Sequence, residues 1–389
     1  MSKPIPYGRQ DINEADVHAV IDVLKSDFLT QGPAVPAFER AVHDFVGAKY
    51  AIASTNATTA LHLACLALDV GPGDSVWTSP ITFVASANCA LYCGAKVDFV
   101  DIDLDSFNMS EQALRHKLEQ ARKSGALPKV LIPVHMGGQS CNMATIYDLS
   151  KEYGFSIIED ASHAIGGGYQ SQKVGSCQYS DITVFSFHPV KIITTGEGGM
   201  AVTNDASLAK KMQLLRSHGI TRDEGDMASI ADGPWYYEQI ALGFNYRMTD
   251  LQAALGLSQM SRLHDFVVRR NAIAQRYDKL LIDAPVIRPR IAKDAYSAYH
   301  LYIIQLNLEV ITSSHKDVFN GMRNAGIGVN LHYIPVYLQP FYQKLGFSKG
   351  YCPNAEKYYS RAISLPMFSG LTDEEQDWVV MQLIKLIQK

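Results

Sequence analysis

Short apolar runs alternate with helical stretches through the first two-thirds of the chain. No other feature limits the possible folds as much. The runs are Tyr50-Ala-Ile-Ala53, Ser75-Val-Trp-Thr78, Val97-Asp-Phe-Val100, Val130-Leu-Ile-Pro-Val134, Phe155-Ser-Ile-Ile-Glu-Asp160 and Ile182-Thr-Val-Phe-Ser-Phe187. Each has the length of a strand, and most are too apolar for a strand with one wet face. Helical periodicity separates them near residues 58–68, 86–93, 111–123 and 143–153, and two more helices precede them near 14–25 and 36–45. Strands joined by helical crossovers pair in parallel, because each crossover returns the chain over one face of the sheet. The expectation is an α/β chain with a large, mainly parallel sheet covered on both faces.

The pattern changes near residue 245. Thr249-Asp-Leu-Gln252 reads as a capping box. Apolar residues then recur at helical spacing from Leu251 to Tyr277, which predicts one linking helix of about 30 residues. Strand-like and helical segments follow, His300–Leu306, Lys316–Ala325 and Glu374–Leu386 among them. The division expected is a large domain over 1–248 and a linking helix with a small α+β domain over 249–389. The 35 basic and 39 acidic residues are well mixed, which argues against a nucleic-acid partner. No stretch approaches the roughly 18 apolar residues of a membrane span, and the N-terminus has no signal-peptide pattern. The six cysteines are scattered without zinc spacing. Free thiols, a cytoplasmic location and no bound metal are the expectations.

The chemistry is concentrated at two strand ends. Asp160 closes one apolar run, and Lys191 follows another, just ahead of the glycine-rich turn Gly196-Glu-Gly-Gly199. A lysine and an aspartate on neighbouring strands meet the needs of pyridoxal 5′-phosphate (PLP). The amine forms a Schiff base with the cofactor aldehyde, and the carboxylate keeps the pyridine nitrogen protonated. Taken singly, each is more often an ordinary surface or turn residue. Lys191, however, sits in apolar and glycine-rich sequence, and burial lowers a lysine pKa. Ser54-Thr-Asn-Ala-Thr-Thr-Ala-Leu61 puts hydroxyls and free N–H groups at a helix start, where a phosphate binds; alone it is an ordinary cap. Phe83, between a strand and a helix, could stack on a pyridine ring or fill the core. Ser186 can offer a hydroxyl to the phosphate, and the role of His188 is open. No GxGxxG or Walker-type loop is present.

Eight segments in order resemble the DegT/DnrJ/EryC1/StrS sugar aminotransferases, of PLP-dependent transferase fold type I (aspartate aminotransferase-like). They are Phe28–Pro33, Thr55–Leu61, Thr82–Ala85, Pro133–Gly137, Glu159–Ala164, Ser186–Lys191, Gly196–Gly199 and Gly243–Thr249. Within the family, Pro6–Gln10, Pro234–Glu238 and Leu331–Pro335 are most similar to the transaminases of pseudaminic acid biosynthesis. The resemblance implies that Lys191 carries PLP and shuttles the proton, and that Asp160 pairs with the ring nitrogen. It implies that Phe83 stacks on the ring, and that Thr58, Thr59 and Ser186 hold the phosphate. His163 stands where many relatives have Gln, near the cofactor's ring oxygen. Asn245 would reach the phosphate of a neighbouring subunit, so a homodimer with shared sites is expected. Thr30, Gln31, Arg247, His332 and Tyr333 are candidates for the sugar nucleotide. An ion pair at the helix start is an equal reading of Arg247, and His332 rests on the family pattern alone. The implied reaction moves an amino group from L-glutamate to C4 of UDP-2-acetamido-2,6-dideoxy-β-L-arabino-hexos-4-ulose. Another nucleotide keto sugar remains open, as does a non-catalytic regulator of the same fold. The family's dehydratases carry His in place of the lysine, which Lys191 opposes.

Overall fold

A computed structural model describes residues 4–387; the outermost residues of the two expected domains, 1–3 and 388–389, lie outside the described residues. Two helices, α1 (Glu14–Leu24) and α2 (Ala34–Val46), precede the sheet. The apolar runs become β1 (Tyr50–Ser54), β2 (Ser75–Thr78), β3 (Lys96–Phe99), β4 (Val130–Ile132) and β5 (Ser156–Asp160). After a short hairpin of β6 (Gly168–Tyr169) and β7 (Gln172–Lys173) come β8 (Ile182–Ser186) and β9 (Gly199–Thr203). The large sheet has seven strands in the order β1-β9-β8-β5-β4-β2-β3. Neighbours from β8 through β5, β4 and β2 to β3 run parallel. Strand β9 is antiparallel to both β1 and β8. The reason is local: residues 187–198 form a folded loop with no helix to carry the chain across the sheet, so it returns beside β8 in the opposite direction.

Helices α3 (Ala57–Ala67), α4 (Ala85–Tyr92), α5 (Glu111–Ser124), α6 (Met143–Tyr153) and α7 (Ala206–Arg216) connect the strands and cover the sheet. Strand β8 shows why both faces are dry. Ile182 and Val184 pack with Leu61, Leu63 and Ile158 on one face, while Phe185 packs with Phe38, Val42 and Met200 on the other. This is the two-residue period of a strand. Full burial of one such side chain stabilises by roughly 1.5–3 kcal/mol.

The Thr249 capping box is present: the Thr249 hydroxyl accepts from the Gln252 N–H at 3.3 Å, and Gln252 Oε1 accepts from the Thr249 N–H at 3.0 Å. The single long helix is not. The chain forms α8 (Asp250–Met260) and α9 (Leu263–Leu280), broken at Ser261-Arg262. Arg262 turns there to bind Asp11 at 2.7 Å and the buried Asp16 at 2.5 Å. A tertiary ion pair overrides a periodicity that continues on either side. Leu263, Phe266 and Val267 of α9 join the α2 side of the core. Ile273, Ala274 and Tyr277, further along the helix, join a separate C-terminal core. That core is built on the antiparallel strands Val286–Ile287, Tyr302–Leu306 and Ala362–Leu365 and on helices His315–Asn324 and Asp373–Ile387. Ile5 belongs to it as well, bridged to Ile327. Among the described residues no helix is long and apolar enough to cross a membrane, and no His/Cys/Asp/Glu group could hold a metal ion.

Candidate active site

The carboxyl ends of β4, β5 and β8 open into one cleft, the usual ligand position of an open α/β sheet. Asp160 ends β5 and is buried. Its Oδ2 accepts from the Ser86 hydroxyl at 2.6 Å, and its Oδ1 accepts from the Ser162 N–H at 3.1 Å. Ser86 lies in the first turn of α4 and shares a 2.7 Å hydrogen bond with Thr82. Two neutral donors therefore fix the carboxylate without cancelling its charge. The neighbouring Glu159 points to the opposite face of the sheet. There the buried His135 donates from Nε2 to Glu159 Oε2 at 2.6 Å, with the Ser180 and Thr183 hydroxyls on Oε1.

Lys191 sits on a loop folded back on itself. Its own N–H donates to the His188 carbonyl, while the Phe187 carbonyl accepts from both the Thr195 N–H and the Thr194 hydroxyl. The side chain is partly open to the cleft, yet desolvation lowers its pKa from 10.5 to about 8, against the pull of Asp160. An amine in that range is half deprotonated near pH 8, which suits nucleophilic and proton-transfer work.

The start of α3 faces the same cleft. Asn56 caps it, accepting from the Thr59 N–H at 2.9 Å, and the Thr59 hydroxyl bonds back to the Asn56 carbonyl at 2.8 Å. Thr58 carries its hydroxyl on the partly exposed first turn. Gly199 lets β9 pass directly under this turn. A Cβ there would lie 2.4 Å from the Asn56 carbonyl carbon and oxygen and 2.6 Å from the Ala57 nitrogen, all backbone atoms. Ser186 is paired with Gly199 across the two strands and is buried. Gly199→Ala is expected to cost about 1–3 kcal/mol through overpacking and to weaken PLP binding. Gly71→Ala, with nothing within 4 Å, is the control. Chemical denaturation and a PLP titration check both effects; equal behaviour of the two variants would contradict the cradle.

Phe83 is not a core residue: 59% of it is exposed, and its ring centroid lies 6.4 Å from that of Tyr333 across the cleft. His163 is buried. Its Nδ1 accepts from the Gly137 N–H at 3.4 Å, and its Nε2 lies 3.1 Å from the Tyr333 hydroxyl. Burial, then the Lys191 charge, then that of His332, hold the His163 pKa well below 6.5. His332 is also buried, 2.8 Å from the Ser364 hydroxyl, and burial beside Lys191 lowers its pKa to about 3. Thr30 bridges Thr249, Gln31 has a left-handed φ of 57°, and Asp250 accepts from the Gly32 and Val35 N–H groups. Thr30 and Gln31 thus lie beside the segment at Thr249 that leads into α8. Asn245 is exposed. Its backbone bridges Ser217, and the next carbonyl, of Tyr246, accepts from the Thr55 N–H at 2.9 Å. Two groups of candidates therefore form, Thr30/Gln31/Arg247 on one side and His332/Tyr333 on the other.

Sequence reasoning missed Ser86 and His300. Ser86 stands at the start of the helix expected near 86–93, and that position was its only signal. His300 opens a strand-like run that reads as core. Its ring lies 4.4 Å from that of His163, and its buried Nδ1 has no partner among the described residues.

These residues fit PLP. Asp160 offers an unneutralised buried carboxylate for a ring N–H, Lys191 an amine of lowered pKa for an aldehyde, and α3 a glycine-cleared helix start for a phosphate.

A profile of the DegT/DnrJ/EryC1/StrS aminotransferase family matches residues 10–384. A Campylobacter jejuni protein named UDP-4-amino-4,6-dideoxy-N-acetyl-beta-L-altrosamine transaminase is 38% identical over 387 residues, covering 99% of this chain and 98% of its own. The spore coat polysaccharide biosynthesis protein SpsC of Bacillus subtilis is 38% identical over 379 residues, covering 97% of this chain and 95% of its own. Among solved structures, Helicobacter pylori PseC, described as an aminotransferase of pseudoaminic acid biosynthesis, superposes with a TM-score of 0.89 at 32% identity, covering 99% of this chain and 100% of its own. The PLP form of the sugar aminotransferase Spr1654 of Streptococcus pneumoniae superposes with a TM-score of 0.88 at 29% identity, covering 99% of each chain.

Proposed function

The chain belongs to the DegT/DnrJ/EryC1/StrS aminotransferase family and is a PLP-dependent sugar aminotransferase, and we propose that it carries an amino group from L-glutamate to C4 of UDP-2-acetamido-2,6-dideoxy-β-L-arabino-hexos-4-ulose. The observation that carries this reading is the end-to-end match to the Campylobacter transaminase at 38% identity. PLP, when bound, supplies a carbonyl that links covalently to an amine and a ring that accepts an electron pair from carbon. Lys191 Nζ takes the proton from the α-carbon of glutamate and later gives one to C4 of the sugar. Asp160, fixed by Ser86, holds negative charge against the ring nitrogen. Phe83 covers the ring face, His163 stands near the ring oxygen, and Thr58, Thr59 and Ser186 hold the phosphate. Thr30, Gln31, Arg247, His332 and Tyr333 bind the nucleotide sugar. A cytoplasmic location is part of this reading.

The test is the visible absorption of the purified protein with PLP. L-Glutamate should bleach the cofactor band, and one member of a panel of UDP-4-keto sugars should restore it. The Bacillus relative is equally similar, so dTDP- and GDP-linked keto sugars belong in the panel. Recovery only with one of those would replace the UDP sugar by that substrate. A band that never responds to glutamate would reject the reaction itself.

The working unit in this reading is a homodimer whose Asn245 side chains reach the partner's phosphate site. Supporting it, Asn245 is exposed, and in the chain leading to it Leu242 and Trp235 are 83% and 71% exposed. Asn245→Ala is expected to weaken PLP retention about 10-fold, from the ~1.5 kcal/mol of a hydrogen bond to a charged group. Equilibrium dialysis of PLP measures it, and an unchanged affinity counts against a shared site.

A further inference from the structure

His163 and Tyr333 meet across the cleft, one just beyond β5 and the other from the C-terminal part of the chain. Their rings stack with centroids 6.2 Å apart and planes 19° apart, and His163 Nε2 lies 3.1 Å from the Tyr333 hydroxyl oxygen. The Gly137 N–H donates to His163 Nδ1. A ring nitrogen that accepts carries no proton, so the proton of the neutral imidazole is on Nε2 and is donated to Tyr333. His163 stays neutral, being buried among Lys191, His300 and His332. With its oxygen already accepting, the Tyr333 hydroxyl must donate its own proton elsewhere. Among the described residues it makes no other hydrogen bond. The groups around it are Asp160, Tyr7 and the exposed Phe83 ring, so the free O–H belongs to the cleft that holds Lys191. Burial and the Asp160 charge raise the Tyr333 pKa, which keeps the phenol a donor throughout the working range.

We propose that the Tyr333 hydroxyl donates a hydrogen bond to the carbonyl oxygen of the keto substrate, at the carbon that receives nitrogen, and that His163 is the positioning residue that fixes its direction. This rests on the sugar-aminotransferase reading above and gives one residue of that site a specific role. The carbonyl oxygen gains negative charge as nitrogen adds to the carbon. A donor already oriented toward it stabilises that charge without reorganising.

The experiment uses the PLP-loaded enzyme, converted to its amine form with glutamate and then mixed rapidly with the keto sugar. Tyr333→Phe keeps the ring packing and removes only the hydroxyl. The expected loss in rate is about 100-fold, the usual effect of deleting one such donor. The pH titration of the bound cofactor's visible band, taken without substrate, should match that of the wild type. His163→Leu should lose rate as Tyr333→Phe does, and His163→Gln, which keeps an N–H donor, should recover most of that loss. An unchanged rate in Tyr333→Phe overturns the proposal. So does a shifted band titration in that variant, because the hydroxyl would then serve the cofactor. If no keto sugar in the panel reacts with the wild type, the substrate reading has failed. The same comparison run with 2-oxoglutarate as the ketone still decides the contact.

Discussion

Lys191→Ala is expected to abolish turnover, by at least about 10⁴-fold, because no other group in the cleft replaces a positioned amine as general base and acid. His163, His300 and His332 are close, but burial holds all three neutral well below neutral pH, so each is a weak base. The variant should fold. Lys191 lies in a loop pinned by backbone and threonine hydrogen bonds rather than by its own side chain. In the cofactor-free protein the substitution should even relieve a penalty. The folded-state pKa is about 8 and the unfolded value about 10.5. Between those values the unfolded chain binds more protons, so wild-type stability rises with pH across that window. Below pH 8 the folded state carries a poorly solvated ammonium, and that cost is present in full. Lys191→Ala should therefore melt at or above the wild-type temperature at pH 7, with the difference shrinking toward pH 10. Scanning calorimetry of the cofactor-free proteins at the two pH values measures it. A lower melting temperature at pH 7, or turnover near the wild-type rate, would contradict this account.

The large features were legible because they are written in single-residue chemistry. Runs such as Ile182–Phe187 carry apolar residues for both faces but are too short for a helix, which marks them as buried strands, and the positions of Asp160 at one strand end and Lys191 just beyond another follow from where those runs stop. The antiparallel return of β9 was not read from the glycine-rich turn, because a connection of twelve residues is long enough for a crossover and only the folded loop shows that none forms. What stayed hidden depends on tertiary direction. Ser86 is one serine among many until α4 turns it onto Asp160. Nothing in the sequence says that both nitrogens of His163 are turned toward Gly137 and Tyr333. The break between α8 and α9 is set by Asp11 and Asp16, some 250 residues away in sequence, and the periodicity of a helix carries no trace of so remote a partner.

The second large effect concerns Asp160 and ties the geometry to a pH profile. Asp160→Asn keeps the size of the side chain and an oxygen for the Ser86 hydroxyl, but removes the charge. Turnover should fall about 10³-fold, since an amide cannot hold a ring nitrogen protonated and a preorganised charge at the reacting system is worth that much. The same charge acts on Lys191, where it raises a pKa that burial lowers. Removing it must move the Lys191 pKa down, below about 8. Recombination of the cofactor-free enzyme with PLP needs the free amine, so its rate climbs with pH through the Lys191 pKa. In the wild type the midpoint should fall near pH 8, and in Asp160→Asn it should lie at lower pH. Ser86→Ala leaves the carboxylate charged but loosens it, so its midpoint should stay near the wild-type value while PLP retention drops. The absorbance change on PLP binding, followed from pH 6 to 10, reports all three midpoints. A midpoint that moves upward in Asp160→Asn, or does not move, would mean that the carboxylate and the amine do not share one electrostatic site.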